Sequence, residues 1–324
     1  MNRHSFLVSL LAAFAQASLV ACGKTLPSSS AASARSLESA NQSSTIGSAF
    51  VAPTATQIPP AATSLPPTPT PAPPRKTGSA PAPSVSGVSV AVIDGDSGAL
   101  LYGLDPHRRL APASVTKIFT ALVALRYASP QQQITVHFDP SQLTDSTLMG
   151  IHPGETYTLE DLLYGLMLPS GNDAALAIAN AIGGSEEHFV TMMNDEVTDL
   201  GLHDSHFVNP HGLDAPGHYS SAYDLTMAAR YGMRHYPEFR KIVGTETWVV
   251  HGTRSFTVEN LNHFLGNYPG ADGVKIGFTD DAGRTIVASA TRNGHQVFVA
   301  VMKVGDWVSN TAPLFNWVYQ NFTW

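Results

Sequence analysis

The chain has 324 residues, 43% of them hydrophobic, and its 25 acidic and 18 basic side chains give a formal net charge of −7. This acidic balance, without a basic stripe, argues against a nucleic acid as partner. The single cysteine, Cys22, leaves no second thiol for an intramolecular disulfide.

The N-terminus has the pattern of a secretory signal. Arg3 and His4 precede an apolar run over 6–20, which is too short to count as a transmembrane span. The run ends in Leu-Val-Ala-Cys, a sequence typical of lipoproteins that are cleaved before a lipidated cysteine. A plain small-residue cleavage site is the alternative. We predict a lipoprotein signal peptide at 1–21, lipidation of Cys22, and a lipid-anchored location in the cell envelope outside the cytoplasm.

A low-complexity segment follows the cysteine. Residues 22–85 are rich in Ser, Ala, Thr and Pro, a composition that cannot bury a core and predicts a disordered, polyproline-prone tether. At about 3 Å per residue, sixty extended residues would reach on the order of 190 Å. Residues 86–324 remain for one domain with a second, helical lobe.

The domain opens with a predicted β-hairpin. Residues 87–94 and 99–104 alternate in hydrophobicity on either side of a turn rich in Asp and Gly.

A serine and a lysine three positions apart come next. Ser114 and Lys117 stand at the head of the apolar run 118–125, which predicts a buried helix with both side chains on one face. Lysine can take the serine proton if burial and nearby cations hold it neutral. Amides at a helix N-terminus can stabilise a developing oxyanion. The pair suggests an acyl-transferring serine enzyme. The alternative is a capping serine beside a solvated lysine.

A second polar group lies at Ser170-Gly171-Asn172, where a Pro-Ser-Gly turn leads into an Ala-rich helix. Such a turn presents a hydroxyl and a carboxamide from a fixed backbone, although serine and asparagine are also ordinary helix caps. The surrounding region is mainly helical. The predicted helices span 160–167, 172–182, 185–200 and 221–235.

A third group lies on a predicted strand, 272–279, which carries Lys275 and Gly277. Its glycine indicates a close backbone approach or a bulge, and the alternative is an edge strand with a solvated lysine. A hairpin over 285–292 and 296–303 and an amphipathic helix over 311–322 complete the chain.

Taken together, the three groups resemble the serine-type D-alanyl-D-alanine carboxypeptidases, the low-molecular-mass penicillin-binding proteins. The sequences around 113–117, 168–175, 207–214, 218–225 and 272–279 carry the resemblance, which extends from about Gly87 to the C-terminus. It implies an α+β fold of the β-lactamase/transpeptidase type: a five-stranded antiparallel sheet flanked by helices, an all-helical lobe, and a site in the cleft between them.

The resemblance also implies roles for individual residues. Ser114 would be the acylated nucleophile and Lys117 its general base, while Ser170 and Asn172 would relay protons and hold the substrate amide. Lys275 would lower the pKa of Lys117. Substrate binding would fall to the strand residues Lys275, Gly277, Phe278 and Thr279, with the backbone amides of Ser114 and Phe278 as the oxyanion hole. The implied partners are peptidoglycan stem peptides, β-lactams as inhibitors, and the membrane through the lipid anchor; no cofactor is implied.

Two departures from the family pattern motivate a hypothesis. The first is Ile276, which stands where the family has threonine. The second is that no arginine follows Arg292. The family often places an arginine after the last strand, where it pairs with the terminal carboxylate of the peptide. The loss of such a partner in a desolvated pocket costs on the order of a few kcal/mol. We therefore hypothesise weakened recognition of a free C-terminal D-alanine.

The same residues leave other functions open. A catalytically weakened penicillin-binding module and a D,D-endopeptidase remain alternatives. A β-lactamase or esterase is less favoured, because Glu259 does not stand in the spacing of a deacylating Glu-x-x-Leu-Asn sequence. Four histidines between 203 and 218 suggest zinc only weakly, since their spacing fits no known zinc framework. We predict no metal.

Overall fold

The computed structural model describes residues 71–143 and 146–324, so the predicted signal peptide, Cys22 and most of the tether lie outside the described residues. The strands are β1 Arg75–Lys76, β2 Ser89–Asp94, β3 Leu100–Leu104, β4 Gln133–Thr135, β5 Thr156–Thr158, β6 Thr247–His251, β7 Ser255–Glu259, β8 Ala271–Thr279, β9 Gly283–Arg292, β10 His295–Val304 and β11 Phe322–Thr323. The α-helices are α1 Lys117–Tyr127, α2 Leu159–Met167, α3 Asn172–Gly183, α4 Glu186–Asp199, α5 Ala222–His235, α6 Pro237–Val243 and α7 Trp307–Asn321. Two short 3₁₀ turns span Ala113–Thr116 and Pro140–Gln142.

Five strands form the central sheet in the order β3-β2-β10-β9-β8, with every neighbouring pair antiparallel. Strand β2 and the central parts of β9 and β10 are buried, because α5 and α6 cover one face of the sheet and α7 covers the other. Each face therefore has its own apolar cluster. Strand β8 lies at the edge and leaves one side of its backbone open. The predicted fold class is confirmed.

The helical lobe follows the sequence prediction closely. Its four predicted helices differ from α2, α3, α4 and α5 by only one residue at some of their ends. Side chains of Thr158, Ser185 and Ser221 each accept the backbone N–H three residues into α2, α4 and α5. These caps satisfy backbone donors that the helix itself leaves free, which is why the boundaries were readable from sequence.

The C-terminal helix differs from its prediction. It begins at Trp307 rather than at residue 311, because the Asp306 side chain caps it by accepting the Ser309 N–H at 2.8 Å. Pro313 lies in the second turn of α7, where it lacks the N–H that would bond the Ser309 carbonyl. The prediction also omitted α6 and the β6–β7 hairpin.

The predicted boundary at residue 86 also needs correction, since part of the predicted tether packs on the domain. We call residues 75–86 the N-terminal strap. It begins as β1, which pairs with β11, and the backbone N–H groups of residues 77 and 78 donate to the Asn321 carbonyl. The indole of Trp317 donates to the Ala80 carbonyl at 3.0 Å, and the Ser86 N–H bonds the Asn310 side chain at 2.7 Å. The Ser-, Ala- and Pro-rich composition of this segment did not indicate these contacts.

We expect the strap to contribute to stability. A chain that begins at Gly87 loses four or more hydrogen bonds and the apolar contacts of the strap with α7, together about 2–4 kcal/mol. Its melting temperature should fall by about 5–10 °C relative to a chain that begins at Pro74. Equal melting temperatures for these two chains in calorimetry would contradict a structural role.

Candidate active site

Ser114 and Lys117 meet through the geometry of a 3₁₀ turn. Ser114 lies in the turn Ala113–Thr116, and α1 begins only at Lys117. With three residues per turn, side chains at i and i+3 lie directly above one another. The Lys117 Nζ is 3.0 Å from the Ser114 Oγ. The predicted pairing in space is present, although a 3₁₀ turn rather than the α-helix produces it.

The amine of Lys117 is completely buried. Its Nζ lies 2.6 Å from the Asn172 Oδ1 and 2.7 Å from the His211 carbonyl oxygen. A neutral amine has two N–H donors and one lone pair. The two oxygens accept both N–H groups, so the lone pair is left for the hydroxyl of Ser114. This arrangement suits a general base.

The electrostatics favour the neutral form of that amine. Burial, and then the positive charge of Lys275, hold the pKa of Lys117 well below its usual value, while Asp173 opposes them. Lys275 is itself 1% exposed, and burial lowers its pKa to about 7. Its Nζ donates to the Ile276 carbonyl at 3.0 Å. Two lysines from distant parts of the sequence therefore share one buried, electropositive region.

Asp173 fixes the segment that faces this region. Its carboxylate accepts the backbone N–H groups of Met149 at 2.7 Å, Gly150 at 2.8 Å and Ile151 at 3.2 Å. Charge-assisted bonds of this kind stabilise a fully buried carboxylate. The sequence analysis missed this residue. Its signal was an acidic side chain in the first turn of α3, next to Asn172.

Ser170 stands in a constrained backbone position. Its φ is 65°, in the left-handed region that is uncommon for a residue other than glycine. The Thr147 hydroxyl donates to its carbonyl at 2.7 Å, and the Asn172 N–H donates to the Thr147 carbonyl at 2.9 Å. These bonds turn the Ser170 side chain toward the cleft, where it lines the same pocket as Ser114.

Two glycines allow close approach to the nucleophile turn. A Cβ on Gly277 in β8 would lie 2.7 Å from the Ser114 backbone nitrogen, so only glycine lets the edge strand pass there. Gly212 has a φ of 93°, and a Cβ on it would collide with the Ala113 carbonyl oxygen. The loop carrying the His211 carbonyl can therefore reach Lys117.

His218, farther along the loop that carries His211, also bonds the nucleophile turn 113–116. Its Nδ1 accepts the Val208 N–H at 3.1 Å, so its Nε2 carries the proton and donates to the Thr116 hydroxyl at 2.9 Å. Burial lowers the pKa of His218 to about 4, which keeps the ring neutral. In the sequence, this histidine belongs to a stretch that carries the family resemblance and was otherwise a weak metal candidate, so its supporting role was not predicted.

These groups open into a pocket of about 660 Å³. The lining residues include polar, apolar and acidic side chains: Ser114, Ser170, Asn172, Leu213, Asp214, Leu261, Ile276, Phe278, Thr279, Asp280 and Trp307. Within the described part of the chain, the charged lining residues are the two aspartates. Asp214 accepts the Thr279 hydroxyl at 2.7 Å and the Asp281 N–H at 3.1 Å. A hydroxyl, a neutral amine and an adjacent pocket can perform acyl transfer.

Comparison with known families agrees with this chemistry. Residues 76–305 match the peptidase S11 family, described as D-alanyl-D-alanine carboxypeptidase. The chain belongs to this family.

Individual relatives give the same result. The D-alanyl-D-alanine carboxypeptidase DacF of Bacillus subtilis is 38% identical over 221 residues, which are 66% of this chain and 56% of DacF. DacB2 of Mycobacterium tuberculosis is 35% identical over 235 residues, 70% of this chain and 80% of DacB2. The crystal structure of the DD-transpeptidase of Streptomyces K15 superposes with a TM-score of 0.71 at 30% identity, covering 74% of this chain and 100% of that one. The chain spans less than two thirds of some relatives, including DacF and, at 65%, DacD of Escherichia coli.

Within this S11 peptidase, most of the predicted site residues come together. Ser114, Ser170, Asn172 and the β8 residues from 277 to 279 line the pocket, while Lys117 and Lys275 lie buried behind it. Ile276 is 8% exposed at the pocket wall and packs into the apolar cluster under α7. The Thr279 hydroxyl is already bonded to Asp214.

A metal centre and a membrane-spanning helix are both absent from the described residues. No group of three or more His, Cys, Asp or Glu side chains among them is arranged to hold a metal ion. None of the helices in residues 71–143 and 146–324 is long and apolar enough to cross a membrane.

Proposed function

We propose that this protein is a serine-type D,D-carboxypeptidase. It removes the terminal D-alanine from peptidoglycan stem peptides through an acyl-enzyme on Ser114. The proposal rests on the buried Lys117 amine, whose Nζ lies 3.0 Å from the Ser114 Oγ and bonds two further oxygens. In its neutral form this amine has its lone pair free for the serine hydroxyl. Membership of the S11 family supports the substrate class.

The proposed reaction has two halves. The Ser114 Oγ attacks the carbonyl carbon of the penultimate D-alanine while its proton passes to the Lys117 Nζ. The C–N bond then breaks, and this proton passes to the nitrogen of the departing D-alanine. In the second half, water attacks the ester, gives a proton to Lys117, and the Ser114 oxygen leaves and recovers that proton.

Other residues take supporting roles in this proposal. The backbone N–H groups of Ser114 and Phe278 stabilise the oxyanion, and Ser170 relays protons between the amine and the leaving group. Asn172 both orients the lysine and holds the substrate amide. The open edge of β8 from Gly277 to Thr279 binds the peptide backbone, as an added strand would. A β-lactam would acylate the same serine and act as an inhibitor.

Acylation by a fluorescent penicillin tests the nucleophile. We expect one covalent adduct per chain, located at Ser114 by mass spectrometry, and its loss in Ser114→Ala. The exposed Ser129 offers a matched control, so Ser129→Ala should label like the wild type.

The fate of the label separates the alternatives. A persistent adduct with D-alanine release from a pentapeptide supports the peptidase. Rapid loss of the label would favour a β-lactamase, and a persistent adduct without D-alanine release would favour a weakened penicillin-binding module. Absence of any adduct on folded protein contradicts the proposed nucleophile.

The pH dependence of acylation tests the role of Lys275. Its positive charge disfavours the protonated form of Lys117, so Lys275→Gln should raise the pKa of Lys117. Less neutral base is then present at low pH, and the acid limb of the acylation rate should move to higher pH. Lys241→Gln is the control, because Lys241 pairs with Glu160 on the surface. An unmoved acid limb in Lys275→Gln would contradict the electrostatic role.

We further propose that a signal peptide at 1–21 is removed, that Cys22 carries a lipid, and that the chain from Cys22 to the strap tethers the domain in the cell envelope. The Leu-Val-Ala-Cys sequence and the Pro-rich composition support this proposal. A tether of this length would let the catalytic domain reach stem peptides far from its anchor.

Fractionation of cells tests the anchor. The wild-type chain should incorporate labelled fatty acid and sediment with membranes, whereas Cys22→Ala should lose the label and appear in the soluble fraction. Membrane association of Cys22→Ala equal to that of the wild type would point to another means of attachment.

A further inference from the structure

The charge of the pocket creates a difficulty for the proposed substrate. A carboxypeptidase acts beside a free C-terminal carboxylate, so an anion must enter this pocket. The charged residues that line it in the described part of the chain are Asp214 and Asp280. The lysines near the nucleophile are buried, and both have lowered pKa values. Neither is placed on the open surface to receive the carboxylate.

Arg284 packs beside two aromatic residues that line this pocket. It lies at the start of β9, in register with Phe278 on the edge strand β8. Its guanidinium carbon is 5.8 Å from the centre of the Phe278 ring and 5.5 Å from that of Trp307, and both rings line the pocket. Its side chain is exposed. The two rings hold the guanidinium at the pocket wall by cation–π contact.

Most donors of Arg284 have no partner among the residues that the structure describes. A guanidinium has five N–H groups, and the Nη1 donates to the Gly305 carbonyl at 3.1 Å. Among the ion pairs formed by residues 71–143 and 146–324, none involves Arg284. The nearby Asp306 is engaged as the cap of α7, and this bond is the main cause of its lowered pKa, with Arg284 contributing less.

Two other cations on β9 and β10, Lys303 and Arg292, do not pack on Phe278 or Trp307 among the contacts of the described residues. The Lys303 Nζ donates to the Asp281 carbonyl at 3.2 Å. Arg292, at the far end of β9, donates to the Pro269 carbonyl and packs on the Tyr268 ring. Arg292 therefore shares its strand and residue type with Arg284 but lies away from the pocket.

We propose that Arg284 receives the terminal carboxylate of the substrate between Phe278 and Trp307, and so selects peptides with a free C-terminus. The inference rests on the proposed function. A guanidinium can bind a carboxylate with two parallel hydrogen bonds, and the flanking rings exclude water from them. The residue takes no part in proton transfer. It also qualifies the hypothesis of weakened recognition, because a cation from β9 would compensate for the absent arginine after Arg292.

The test compares two peptides that differ only in the C-terminal charge. Acyl-D-Ala-D-Ala with a free carboxylate and the same peptide as a C-terminal amide are used to protect Ser114 from labelling by a fluorescent penicillin. This readout measures binding without turnover. For each peptide we take the concentration that halves the labelling of Ser114, and we compare the ratio of this concentration for the amide to that for the acid. A change in the labelling rate itself affects both concentrations equally and cancels in the ratio.

In the wild type we expect the acid to protect at a lower concentration than the amide. Arg284→Gln should reduce this preference roughly 10–100-fold, the range expected for one charge-assisted interaction, and should do so by weakening the acid alone. Arg284→Lys should recover part of the preference, and Arg292→Gln should keep all of it.

Two outcomes would overturn the assignment: an unchanged ratio in Arg284→Gln, or equal weakening of both peptides, which a purely structural role would produce. A separate measurement of D-alanine release by the wild type reports on the proposed function. The wild type could fail to release D-alanine and still show the ratio that depends on Arg284. That result would refute the proposed peptidase activity but would retain Arg284 as the carboxylate-binding residue.

Discussion

The buried amine of Lys117 is the constraint on which the rest of the site depends. An ammonium in that position would be cut off from water and would face the charge of Lys275, whereas a water-exposed lysine would keep its proton at neutral pH. The fold supplies two oxygens for two N–H groups, from Asn172 and from the His211 backbone. It also supplies a second buried lysine, Lys275, whose charge disfavours protonation. The hydroxyl of Ser114 then faces the one remaining lone pair.

This geometry requires close contact between three chain segments: the nucleophile turn, the edge strand β8 and the loop before α5. The edge strand β8 and the loop before α5 each approach the nucleophile turn at a glycine, Gly277 and Gly212, where a Cβ would collide with backbone atoms. His218 bonds the turn from within the loop, and Asp173 fixes the backbone opposite. The two apolar clusters on the sheet faces keep these segments in register. Site geometry is therefore a consequence of packing, and substitutions at these supporting residues act through position rather than chemistry.

Much of the fold and of the candidate site could be predicted, because the sequence patterns that indicate them involve neighbouring residues. Helix ends in the lobe follow capping side chains that lie within three residues of the ends they determine. Hairpins follow their turns, and the sequences around Ser114, Ser170 and Lys275 carried the resemblance that the S11 family match confirmed. Features that depend on distant partners were missed. The strap, for example, pairs with the C-terminus. The early start of α7 is a different case, because its Asp306 cap is local and was overlooked.

By itself, the sequence determined the chemical groups and their local order: a serine with a lysine three residues on, a polar helix start, and a lysine-glycine strand. These are properties of neighbouring residues, and neighbouring residues are what a sequence displays directly. Only the tertiary structure decided the burial of the Lys117 amine beside Lys275 and the position of Arg284 against Phe278 and Trp307. Burial, lowered pKa and the charge at a pocket wall arise from residues far apart in the chain, and packing alone brings those residues together.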